Sequence, residues 1–138
     1  MSGSKDLGQR VLQPASWPRP RGYANGITAA GETIFLAGQI GWDAEGHFAE
    51  GLTAQVRQAL ANIVTLLAEA EAGPQHIVRL TWYVTDLQAY RTSLSEIGAA
   101  YRSVIGRHFP TMSVIGVTEL VEQQALVEIE ATAAVPRS

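Results

Sequence analysis

The stretch from Ala125 to Ala133 alternates without a break. Ala125, Val127, Ile129, Ala131 and Ala133 fall on one side; Leu126, Glu128, Glu130 and Thr132 fall on the other. A period of two is the pattern of a strand with one buried face. The second face carries two carboxylates, and a carboxylate inside a small sheet is costly unless that face is wet or paired. Any fold for this chain must therefore supply a sheet with one dry face and one mixed face.

The rest of the chain supplies elements to fit that sheet. Gly106 ends a helical stretch, Pro110 prevents its restart, and a strand is expected from about Thr111 to Thr118. Tyr23 to Ala29 and Thr33 to Ile40 read as a hairpin turning at Ala30-Gly31-Glu32. The second of these strands is apolar on both sides, with Ile34, Leu36 and Ile40 on one and Phe35 and Ala37 on the other. Such a strand is normally covered on both sides. Gly38 within it marks a bulge or a close backbone approach.

Two helices are expected. Leu52, Val56, Leu60, Ile63, Leu67 and Ala70 recur at spacings of four and three, stopped by Gly73-Pro74. Tyr90, Leu94, Ile97, Tyr101 and Val104 mark a second, with Thr85-Asp86-Leu87-Gln88 fitting a capping box at its start. Between them Ile77 to Asp86 alternates as a strand, and a strand after a helix requires a crossover, so part of the sheet is expected to be parallel. The fold class is then α+β: two helices on one face of a mixed sheet of five or six strands. The opposite face, with Phe35, Leu126, Glu128 and Glu130, is too apolar for free solvent and too polar for a dry core. An oligomer with a wet, mixed interface resolves that conflict.

Composition narrows the function. The 138 residues suit one domain, 1–138, with 1–12 a loose N-terminus bearing a short edge strand near Val11-Leu12. Net charge is −3 with no run of Lys or Arg, which gives a polyanion no footprint and makes nucleic acid an unfavourable partner. There is no cysteine, so thiolate chemistry is excluded. Met1 to Gln13 is polar and no apolar run reaches the length of a membrane span, so a cytoplasmic protein away from membranes is the expectation. His47, His76 and His108 are scattered without partners at ligand spacing, and no Gly-rich phosphate loop or Gly-x-Ser-x-Gly elbow occurs. No metal and no cofactor is expected. The loop Trp17-Pro18-Arg19-Pro20-Arg21-Gly22 cannot be helical; it either packs over a core edge or faces a ligand.

Several motifs, in order and over roughly residues 20–135, resemble the RidA family (YjgF/YER057c/UK114, or L-PSP). Phe-Pro-x-x-Ser at 109–113 followed by Val-Glu-Ile-Glu-Ala-Thr-Ala at 127–133 is similar to its C-terminal signature. Gly22 to Ile27 resembles its Gly-Pro-Tyr-Ser-Gln-Ala-Ile motif, Ala37-Gly38-Gln39-Ile40 its Ser-Gly-Gln-Ile, and Gln55 to Asn62-Ile63 its Gln-x6-Asn-Ile helix. The resemblance implies a chorismate mutase-like fold, a homotrimer with a central barrel, and ligand clefts between adjacent subunits. It implies hydrolysis of reactive enamines and imines, with Glu128 as the catalytic, water-orienting residue. It also implies substrate-binding roles for Tyr23, for the backbone at Gly38, and for positions 112 and 114.

This sequence departs from that pattern at the residue that matters most for substrate. Members that hydrolyse these compounds carry Phe-Pro-Ala-Arg-Ser, whose Arg grips the substrate carboxylate; here that place is Met112. Val114 stands where relatives often have Cys, and Gly98 falls near a frequent Asn. Met offers apolar surface, not the planar fork that a carboxylate needs. Arg21, with Arg19, lies just before Tyr23 and is the candidate replacement cation. Three functions follow as expectations: an enamine/imine deaminase-type hydrolase, a non-catalytic metabolite-binding or regulatory trimer, and, least favoured by the charge, an endoribonuclease or translation inhibitor.

Overall fold

The computed structural model describes residues 7–137. Six strands and three helices occur among them. β1 (Arg10–Leu12) and β2 (Gly26–Thr28) form a two-stranded antiparallel ribbon, with Val11 opposite Ile27. β3 (Glu32–Ile40), β4 (Ile77–Val84), β5 (Thr111–Gly116) and β6 (Val127–Val135) form a mixed sheet in the order β3-β6-β4-β5. β6 is antiparallel to both neighbours, whereas β5 is parallel to β4, as the crossover demands.

The expected hairpin between residues 23–29 and 33–40 does not form. β2 pairs with β1, and β3 pairs along its length with β6, from Glu32 opposite Val135 to Ile40 opposite Glu128. Gly31, at φ +117°, turns the chain away from the ribbon toward the sheet. A Cβ there would collide with the Val135 carbonyl, so the turn is pressed onto the end of β6. Nine-residue β6 offers β3 a longer apolar partner than three-residue β2.

α1 (Leu52–Glu69) matches the expected periodicity and buries Val56, Ala59, Leu60, Ile63 and Leu67. The second helix is divided into α2 (Leu87–Thr92) and α3 (Leu94–Val104) at Ser93. Its cap is Asp86, whose carboxylate accepts from the Ala89 N–H at 3.1 Å, one residue beyond the Thr85 expected. All three helices lie on the sheet face of Leu80, Trp82, Val84, Val127, Ile129 and Ala131. Burying each large apolar side chain there contributes about 1.5–3 kcal/mol. The other face carries Phe35, 79% exposed, with Thr81, Glu128, Glu130 and Thr132. No helix of the described residues is long and apolar enough to cross a membrane.

Candidate functional site

A cleft of about 510 Å³ opens between α3, the β4-β5 edge of the sheet and the loop at Arg21–Tyr23. Its floor follows from register. Met112 lies beside Leu80 and Val114 beside Trp82, so both β5 side chains point to the helix face. Tyr90, Ile97 and Tyr101 form the helical wall. The Tyr101 hydroxyl donates to the His108 carbonyl at 2.6 Å, and its ring stacks on Phe109 at 5.8 Å. Burial pushes the phenols of Tyr101 and Tyr90 up, so both stay neutral. The Trp82 ring meets Tyr90 edge-on, and its buried indole N–H has no hydrogen-bond partner among the described residues.

The rim is pinned by backbone. The Ala24 N–H donates to the Pro110 carbonyl at 3.0 Å, joining the loop to the start of β5. The preceding turn is held in place too: His108 Nε2 pairs with the Ile77 carbonyl at 2.6 Å and the Thr111 hydroxyl donates to the Val78 carbonyl at 2.6 Å. Among the described residues the charged side chains that line the cleft are Arg21 and Arg102. Among the described residues neither guanidinium forms an ion pair or a hydrogen bond. The described lining of the cleft is thus apolar and aromatic, with two cations and no carboxylate.

Glu128 and Gly38 lie elsewhere. Glu128 sits opposite Tyr83 on β4, on the face turned away from the helices. The register of β3 against β6 shifts between Leu36 and Gln39, and this bulge lays Gly38 against the Glu128 side chain. A Cβ at Gly38 would overlap the Glu128 carboxylate. On the same face the Tyr83 hydroxyl donates to Glu130 Oε1 at 2.8 Å, and that bond to a carboxylate raises its phenol pKa. A second hollow of about 410 Å³ lies there, bordered by Phe35, Arg79, Thr81, Glu130 and Thr132.

Of the residues singled out from sequence, Arg21, Tyr23, Met112, Val114 and Gly98 meet in one cleft, and Arg19 does not border it. Gly38 and Glu128 meet each other on the opposite face. Sequence reasoning passed over Arg102, Tyr90 and Phe109 as cleft residues. Arg102 had a readable signal: it stands four residues after Gly98 on one helix, the spacing at which side chains share a face.

Comparison with known proteins agrees with this architecture. The family model described as Endoribonuclease L-PSP matches residues 17–135. A Rid-family protein of unknown function from Yersinia pestis is 33% identical, with a TM-score of 0.83, covering 94% of this chain and 100% of that one. The YjgF gene product of E. coli is 28% identical, with a TM-score of 0.66, covering 93% of this chain and 99% of that one. A protein of Salmonella typhimurium named 2-iminobutanoate/2-iminopropanoate deaminase is 32% identical over 115 residues, 80% of this chain and 85% of its own length. A RutC family protein of Aquifex aeolicus is 34% identical over 126 residues, 90% of this chain and 98% of its own. With the family model spanning residues 17–135 and these relatives covering 80–94% of the chain, the chain belongs to the RidA family.

Proposed function

We propose that this protein is a RidA-type hydrolase of a small enamine or imine with an apolar side chain. In this reading its reaction cleft is completed between neighbouring copies in a homotrimer. One observation carries the reading: the candidate residues fall into two sets on opposite faces of the sheet. Arg21, Tyr23, Met112 and Val114 form a binding wall, while Glu128 beside Gly38 lies on the other side. No single copy can bring them to one substrate, whereas a neighbour's Glu128 face set against this cleft would. The exposed Phe35 and the mixed face around Glu130 are what such a neighbour would cover.

Glu128 is assigned the role of orienting a water and taking its proton as the oxygen adds to the iminium carbon. The C–N bond then breaks, releasing ammonia and leaving a ketone. Tyr23, Met112 and Val114 bind the substrate, and Gly38 gives the ligand and the Glu128 side chain room. A second reading, a non-catalytic metabolite-binding trimer, is favoured by Met112, which cannot grip a carboxylate. The assay that decides is ammonia release from 2-imino acids generated in situ. Turnover is expected to be weak on 2-iminopropionate and higher on the imine of phenylpyruvate, and Glu128→Gln should abolish both. Absence of turnover on either, in a folded trimer, would favour the binding protein.

A further inference from the structure

We infer that the cleft takes a carboxylate-bearing molecule with an aromatic-sized apolar body, and that Arg102 is the group that grips its carboxylate. This rests on the cleft being the metabolite site proposed above. Three observations converge on it.

First, the charge of the cleft is one-sided. Among the described residues Arg21 and Arg102 line it and no Asp or Glu does. Outside the cleft Arg137 pairs with Glu32 at 3.0 Å and Arg57 donates to the Ser103 hydroxyl at 2.6 Å, whereas Arg10, Arg19, Arg79, Arg91 and Arg107 make no side-chain hydrogen bond or ion pair among the described residues. The two cleft guanidiniums have no such partner among the described residues, so their donors are left for something that enters.

Second, Arg102 is aimed. A Cβ placed on Gly98 would stand 3.3 Å from Arg102 Nη1, so the guanidinium lies back along α3 over the glycine. The bare backbone at Gly98 leaves room for that close approach on the cleft wall. A planar fork held there can make two parallel bonds to a carboxylate, which Met112 on the floor cannot.

Third, the volume and lining call for a body larger than a methyl group. A cavity of about 510 Å³ lies within the ~300–1,000 Å³ range of drug-sized ligand sites. Met112, Ile97, Trp82 and the stacked Tyr101-Phe109 pair present apolar and planar surface to it.

The test uses the full chain, isothermal titration calorimetry, and three probes: 3-phenylpropionate, the neutral 3-phenylpropionamide, and propionate. In wild type, 3-phenylpropionate should bind at least about tenfold tighter than either of the others. Arg102→Gln should weaken it by about ten- to a hundredfold, the scale of a lost charge-assisted hydrogen bond. Arg102→Lys should recover part of that loss. Arg107→Gln removes the same charge from an exposed residue outside the cleft and should leave affinity within about twofold. Equal binding of acid and amide, unchanged affinity in Arg102→Gln, or an equal loss in Arg107→Gln would overturn the role of Arg102 while leaving the cleft as a metabolite site. Failure of acid and amide alike to bind would overturn both.

Discussion

Met112 and Glu128 lie on opposite faces of one sheet, with β4 between their strands. A cleft that uses both must therefore be shared by two copies. In solution the chain is expected at three times its 14.8 kDa mass, as read by light scattering at micromolar concentration. Phe35→Asp should shift it to the monomer. At 79% exposure in the single chain, Phe35 contributes little to the fold of one copy, so the monomer should remain folded by circular dichroism. A stable wild-type monomer would remove the shared cleft.

Restoring an arginine at the cleft floor should add function. Met112→Arg places a guanidinium at the position that, by the resemblance, grips the carboxylate in deaminating relatives. Turnover of 2-iminopropionate should rise by about ten- to a hundredfold, the equivalent of about 1.5–3 kcal/mol. Glu128→Gln in the same background should remove the gain. The melting temperature should fall only slightly, since the Arg stem can replace much of the Met packing at a half-buried position. A folded trimeric variant with no gain would show that the floor no longer faces the reacting carbon.

Gln55 ties the first helix to the last strand. Only 3% exposed, it donates to the carbonyls of Ala49 at 3.2 Å and Gln124 at 3.0 Å, and accepts from the Leu126 N–H at 2.8 Å. Gln55→Leu fits the space but leaves three backbone groups unpaired. The expected loss is about 3 kcal/mol in urea unfolding. Because Leu126 leads directly into β6, activity through Glu128 should also decline.

Stability should depend on pH through His76. Burial first, then the charge of Arg137, hold its pKa below the ordinary 6.5. The folded state therefore binds fewer protons than the unfolded chain as pH falls below 6.5. Stability is complete above that value and declines below it, down through the lowered folded pKa. His76 Nδ1 accepts from the Gly73 N–H at 3.0 Å. His76→Gln keeps an acceptor and should flatten the change in melting temperature between about pH 7.5 and 5.5.

The sequence made the helix face of the sheet easy to read and the partners within it hard. The recurrence of Leu52, Val56, Leu60, Ile63 and Leu67 placed α1, and the alternation around Leu80 and Ile129 placed β4 and β6, because burial periodicity is a local property. Pairing is not local. The Gly31 turn looks like a hairpin turn whether β3 folds back on β2 or swings to β6, and only the length and apolarity of distant β6 decide. The break at Ser93 escaped notice because the apolar stripe from Tyr90 to Val104 runs across it. At the site, the family resemblance named Tyr23, Met112 and Val114; register sets Met112 and Val114 on one face, and the loop brings Tyr23 to the same cleft. Arg102 was passed over because an exposed arginine on a helix is ordinary until the glycine one turn earlier is seen beneath it.

The bond from Ala24 to Pro110 makes one amide into a gauge of the cleft. That N–H is shielded while the Arg21–Tyr23 loop rests on the start of β5, so its hydrogen exchanges with solvent in proportion to the fraction of time the loop is lifted. A molecule lodged beneath the loop holds it down and slows that single exchange, while amides deep in β6 keep the slower rate of global unfolding. Occupancy of the cleft can thus be followed in the protein alone, without knowing what the occupant is converted to.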